Sequence, residues 1–483
     1  MKRVLLFIMI AIALVSITPM QAASQYVTPN NYGLQEAKNG IERYQVLYNC
    51  HEDAAKKHIG VSYQGINAID IEIPANAKSI PLSDYTDFAG VTLNVTNNSK
   101  VLFLFQMWFP TREIKANSLT GISRAVMTSL QDEDYVVILQ DKTPWVAKRQ
   151  GYDYGATRKD LIVFSKDHTL NNTVFAYNFQ KSDIGVSYFV CSENKVFKNL
   201  KFVRTDKSKH KTFLLAVENQ ANVELSNIHI ITPESNKNDD AAIQITNSAM
   251  VELNDITIEG TYSQKNKWGY GVKLDNIYDL RIDRMYARAN WGVFGTNNIN
   301  KATLRNCDIN RFDIHCYGRD VRCYNCKFTD LYNQFSSVYG DVYFENCTFT
   351  NFIPMLIESS YNAYTPCDLT FKSCTFNLTA SKNYLMTLSG LEAAHNSRPE
   401  LSRKALPNIT IKNCTVNLAD DVKDWYIIHT GRVAYKEPLD YISKLELNRL
   451  KINGNADYKV FSTELKTTNP LKVVRKRVKL NKK

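Results

Sequence analysis

The chain has 483 residues, of which 44% are hydrophobic, 11% aromatic and 22% charged. This is a globular composition that excludes collagen-like, coiled-coil and intrinsically disordered chains. The formal charge of +11 suggests a polyanion partner, but Lys2 and Arg3 open the chain and seven Lys or Arg with no acid fill Asn469 to Lys483, leaving +2 for the body. The nearly neutral body weakens that reading and no nucleic-acid partner is expected; the terminal segment alone could touch an anionic polymer or membrane surface, or simply be a solvated terminal strand.

Lys2-Arg3, an apolar run from Val4 to Ile17 and small residues at Ala22-Ala23 read as a secretory signal over residues 1–22. The expectation is a secreted or periplasmic protein. No cysteine follows the apolar run, so a lipoprotein anchor is not expected, and no later stretch reaches the ~18 apolar residues of a transmembrane segment. Residues 23–110 are expected to hold an N-terminal cap and the first coils. Within them Ala37, Ile41, Tyr44, Leu47, Cys50 and Ala54 fall at helix spacing between Gln35 and Lys57, and strand-like IDIEIP and VTLNV follow. Residues 111–190 lose the period and read as irregular early coils or an insertion.

Between 191 and 460 a motif of the form apolar-x-apolar-x-Asn-apolar-x-apolar recurs ten times. Its copies end at Phe202, Ile230, Ile258, Ala287, Ile309, Phe328, Phe349, Phe376, Val416 and Ile452. The alternation is strand-like, the Asn suits a bend, and each unit is too short to bury its own face, so the units must stack. The position after the Asn forms a column: Leu200, Ile228, Ile256, Met285, Cys307, Cys326, Cys347, Cys374, Cys414 and Leu450. Rungs ~4.8 Å apart place these side chains in parallel, which suits the dihedral of a disulfide poorly. The five cysteines therefore read as small buried hydrophobes. No second matching Cys-x-x-Cys pair accompanies Cys323 and Cys326, which speaks against structural zinc. Residues 461–483 are expected to be a basic C-terminal tail.

The repeat resembles that of the right-handed parallel β-helix proteins of the pectate-lyase-like superfamily, over at least residues 195–452. The resemblance implies an all-β, single-stranded right-handed parallel solenoid whose first coil is capped by the helix. It also implies carbohydrate-active enzymes, mainly polysaccharide lyases and glycosidases, along with non-catalytic adhesins. The chain lacks the Arg-x-Pro-x-x-Arg strand of pectate lyases. Of the polygalacturonase segments it keeps only Asp239-Asp240.

Strands preceding the repeat (AAIQIT, YGVKLD, WGVFGT, FDIHCY, SSVYG) suggest a second ladder. With Ile243, Val272, Val293 and Ile314 inward, Gln244, Lys273, Phe294, His315 and Ser337 form an outward column, beside a trough of Ala242, Gly271 and Gly292 that ends at Asp313. Trp268, Tyr270, Gln244, Tyr339 and Glu358 are the candidate sugar-binding residues, because flat rings suit sugar faces. A cation plus a base is what β-elimination from an acidic sugar needs. The leading expectation is a lyase on a uronate-containing polysaccharide, with His315 as base, Lys273 and Arg311 as charge neutralisers and Tyr317 as acid. The alternatives are a hydrolase using Asp239, Asp240 and Asp313 and a non-catalytic glycan-binding solenoid. Asp239 and Asp240 could also hold Ca²⁺ as hard oxygen ligands, or simply cap a turn. No other cofactor is expected, and no residue pattern sets an oligomeric state.

Overall fold

The computed structural model describes residues 25–97, 103–114, 134–144, 157–164, 184–191, 194–205, 213–232, 241–259, 270–288, 292–314, 318–329, 332–335, 338–350, 353–358, 367–389, 408–430, 444–463 and 471–481. Its strands pair almost entirely in parallel with the equivalent strand one coil later. The result is three ladders, here called faces 1, 2 and 3 in the order the chain visits them within a coil. The segments Ala241–Glu259 and Tyr270–Ala287 run through all three without leaving strand geometry. Among the described residues no helix is long and apolar enough to cross a membrane.

The repeat motif builds faces 2 and 3 and the bend between them. At that bend Asn199, Asn227, Asp255, Arg284, Asn306, Asn325, Asn346, Ser373, Asn413 and Arg449 all adopt positive φ, between 50° and 62°. Six of the ten are Asn, the residue other than Gly that enters this region most readily. Their side chains bond along the coil axis, as in Asn227 Nδ2 to Asn199 Oδ1 at 2.9 Å. The next residue turns inward. The column from Leu200 to Leu450 is buried throughout, and its five cysteines are free thiols. Burial pushes the thiols of Cys323 and Cys374 up, away from the reactive thiolate. Inside face 3, Phe328, Phe349 and Phe376 stack with ring centroids 5.1 and 5.2 Å apart.

The cap helix spans Gly40–Lys57 and starts later than the periodicity suggests, because Asn39 caps it by accepting from Glu42 N at 2.9 Å. Tyr44, Leu47, Cys50 and Ala54 close the end of the core, while Ile41 is exposed. His51, absent from the expected stripe, is buried against Tyr63 Oη at 2.7 Å, and burial pulls its pKa down to about 3.

Between the early coils the chain leaves the solenoid. Arg112–Ile114, Tyr135–Pro144, Thr157–Phe164 and Ile184–Val190 form a separate four-stranded antiparallel sheet. Val136, Ile138, Leu161, Val163 and Phe189 pack this sheet on Ala221, Ala249 and Tyr278 of the coils. At the other end the ladders continue past residue 460. Lys472–Lys476 pairs with Lys444–Asn448, and Lys479–Asn481 pairs with Lys451–Asn453. The basic segment expected as a tail thus contributes a further rung, with lysines on strands that have no later partner among the described residues. Charge at such edges disfavours further strand pairing.

Candidate functional site

Face 1 breaks the repetition of the other two. Its outward column carries Gln106, Ala216, Gln244, Lys273, Gly295, Asp313, Gln334, Thr387 and His429, in a register that passes through the backbone of Leu356 between Gln334 and Thr387. Gln244 and Lys273 are neighbours in it and half-buried, as the sequence suggests. The next rungs differ from the expectation. Val272 pairs with Phe294 and Phe294 with Phe312, so Phe294 points into the core and Gly295 follows Lys273 outward. A one-residue slip exchanges the faces of a strand, and two features fix this register. Phe294 and Phe312 fill the core edge to face at 5.4 Å. Outside, a Cβ on Gly295 would lie 2.7 Å from the Tyr270 ring, so only glycine admits that ring.

Aligning the strands by their shared Gly-Val pairs therefore misplaces the column by one residue from Gly292 onward. Asp313, not His315, occupies the column of Lys273, and His315 lies two residues further on, outside the described residues. The trough of small residues is not open, because the Tyr270 ring and the Arg311 side chain lie over Gly292, within 3.2 Å of where its Cβ would be.

Arg311 and Asp313 are corrected in the same way. Both are buried, and Arg311 Nε pairs with Asp313 Oδ2. Arg311 Nη2 also donates to Gln334 Oε1 at 2.9 Å, and Gln334 N donates to Asp313 Oδ1 at 3.2 Å. Asn310 and Asn333, also buried, accept from Val293 N and Phe312 N at 3.1 and 2.9 Å. A fully desolvated ion pair tied into backbone bonds orders the rungs around it and does not present either group to a polymer.

Tyr339 belongs to face 2, opposite Arg319, and Ser337 lies outside the described residues; the face 1 rung that follows Phe312–Ile314 is Tyr332–Phe335. Glu358 ends a face 1 strand on the rung of Leu356, four rungs beyond Lys273, or about 19 Å at ~4.8 Å per rung. It belongs to a different part of the face. Tyr317, Trp268, Asp239 and Asp240 lie outside the described residues. Among the described residues no three metal-ligating side chains come together.

Sequence reasoning missed a second outward column on face 1: Trp108, Glu218, Thr246, Asp275 and Asn297. Asp275 Oδ2 receives Lys159 Nζ at 2.7 Å from the antiparallel sheet, so this pair ties the inserted sheet to face 1 beside Lys273. His429, further along the first column, stacks on Tyr384 at 4.7 Å, and burial lowers its pKa. Nothing in the local sequence marks these positions, because they are defined by partners tens of residues away.

No family model matches the sequence, and no curated protein is significantly similar to it. Solved structures do match. The Gp54 tailspike of Acinetobacter baumannii bacteriophage AP22, solved in complex with A. baumannii capsular saccharide, superposes with a TM-score of 0.50 at 13% identity, covering 94% of this chain and 76% of that one. The tailspike protein gp49 from Pseudomonas phage LKA1 gives 0.47 at 12% identity over 94% and 79%. The catalytic domain of a GH87 alpha-1,3-glucanase in complex with nigerose gives 0.47 at 12% over 96% and 70%. The chain is a right-handed parallel β-helix protein with an N-terminal capping helix.

Proposed function

We propose that the protein is exported and acts on a polysaccharide laid across the rungs of face 1, cleaving it at an acidic sugar by β-elimination. The observation that carries this reading is the outward pair Gln244 and Lys273, half-buried on adjacent rungs, with the antiparallel sheet anchored beside them through Lys159 and Asp275. The saccharide bound to the phage AP22 tailspike, which shares the fold, supports the substrate class. In this reading Lys273 neutralises the uronate carboxylate, which acidifies the adjacent C–H. His315 takes that proton, the electron pair forms the ring double bond, and the bond to the leaving oxygen breaks as Tyr317 returns a proton to it. Arg311 and Asp313 act as positioning residues that seat the strand leading to His315. Ca²⁺ held by Asp239 and Asp240 is an accessory part of the proposal.

A hydrolytic reading has one observation in its favour. Glu218 and Asp275 lie in one outward column two rungs apart, roughly 9.6 Å along the axis, close to the ~6.5–9.5 Å of inverting carboxylate pairs. Incubation with a panel of acidic polysaccharides separates the two. Elimination yields the ultraviolet absorbance of an unsaturated uronate, which Lys273→Ala and His315→Ala abolish. New reducing ends without that absorbance, lost in Asp275→Asn, favour hydrolysis. Binding without either product leaves a glycan-binding solenoid.

A further inference from the structure

Where face 1 begins, beside the C-terminal end of the capping helix, the surface opens into a cavity of about 350 Å³, within the ~300–1,000 Å³ of small-molecule sites. Its rim is aromatic. Trp108 is 56% exposed, more than any other large hydrophobic residue among those described, and Phe109 is 37% exposed. The backbone holds this shelf in place: Phe109 N donates to Glu218 O at 3.3 Å, and Asn219 Nδ2 donates to Phe109 O at 3.0 Å. An indole left in water on a fixed strand end contributes little to the fold and is suited to receive an apolar face from outside.

The floor of the cavity is polar and mixed. Asp84, Lys195, Gln106 and Gln220 line it. Lys195 is nearly buried and paired with Asp84, whose side chain remains 38% exposed. Gln220 Nε2 donates to Glu218 O at 3.2 Å, which orients its amide. The two charges cancel locally, and the Asp84 oxygens and the half-buried Gln106 amide supply acceptors and donors, with Gln220 buried behind them.

We infer that this cavity binds one neutral pyranose unit, its C–H face on the Trp108 indole and its hydroxyls on Asp84 and Gln106. Each sugar hydroxyl both donates and accepts, matching the mixed floor. An anionic sugar would meet the Asp84 carboxylate, whose charge Lys195 already balances, with the His58 imidazole, 3.8 Å from Asp84, as the further basic group on the lining. Gln106 shares the column of Lys273, three rungs before it, about 14 Å away at ~4.8 Å per rung. The site thus lies at one end of the same face, where a polymer with neutral and acidic units would be gripped away from the reacting bond. This inference does not depend on which reaction occurs at Lys273.

Saturation-transfer NMR on the full chain tests it with methyl β-D-galactopyranoside, methyl β-D-glucopyranoside and methyl β-D-glucuronide, none of which contains a cleavable polymer linkage. The expected result is transfer to ring C–H protons of at least one neutral glycoside, several-fold weaker transfer to the glucuronide, at least a tenfold loss in Trp108→Ala and recovery in Trp108→Tyr. Trp108 is exposed, so the variants keep the fold, which circular dichroism checks. No transfer from either neutral glycoside, undiminished transfer in Trp108→Ala, or a glucuronide signal equal to the neutral ones overturns the proposal.

Discussion

Face 3 and face 1 are built by the same coil, yet one repeats and the other does not. On face 3 runs of rungs place like on like: Asn481, Asn453, Asn417 and Asn377 bond in series at 2.8 to 3.0 Å, and on the rungs before and up to Asn377 the phenylalanines Phe328, Phe349 and Phe376 stack inside. On face 1 successive outward residues are Gln244, Lys273, Gly295, Asp313 and Gln334, and no two adjacent rungs agree. Stacking alone favours identical neighbours, since a ladder of one residue satisfies its own polar atoms. A face that forgoes such ladders and instead buries an Arg–Asp pair is shaped by something other than coil stability.

This contrast can be broken by substitution, starting with the largest effect. His51 is buried neutral in the cap, with its pKa pulled down to about 3 from 6.5. The shift is downward, so the unfolded chain binds the extra proton and stability falls as pH drops from about 6.5 toward 3, by up to ~5 kcal/mol from this group. Urea denaturation across that window should show the loss, and His51→Phe should remove most of the pH slope; an unchanged slope would mean the cap does not set acid stability. Asp313→Ala, which strands Arg311 in the interior, should cost about 3–5 kcal/mol. If it costs under about 1 kcal/mol, the pair is not the organiser of face 1.

Within the repeat, Phe349→Ala should cost about 3–5 kcal/mol by opening a cavity between Phe328 and Phe376. Gly295→Ala should cost about 1–3 kcal/mol, because the added methyl meets the Tyr270 ring at 2.7 Å. The second change should also weaken glycan binding on face 1, and the first should not. The smallest effect is expected at Asn346→Ala, which loses the left-handed preference at φ 54° for about 1–2 kcal/mol, measured by thermal unfolding.

Much of the fold is legible in the sequence because the forces that make it are periodic. The buried column from Leu200 to Leu450 and the bend residues can be read from spacing alone, since each copy satisfies the same local constraints. The face 1 register is not legible in this way. Val293 and Phe294 are both apolar, and the choice between them is decided by Tyr270 needing Gly295 beneath it, a contact between coils that no local pattern encodes. The Asp84–Lys195 pair, the Lys159–Asp275 link and the exposed Trp108 are likewise defined by partners far apart in the chain.

The central claim is that a polysaccharide lies along face 1 over Lys273. The most direct measurement is the affinity of the protein for an acidic polysaccharide that it binds, comparing Lys273→Ala with Lys451→Ala, an equal loss of charge at an exposed position on face 3. The account predicts at least a tenfold weakening for Lys273→Ala and less than a twofold change for Lys451→Ala. Equal weakening by both would reduce the interaction to bulk charge and contradict the assignment of face 1.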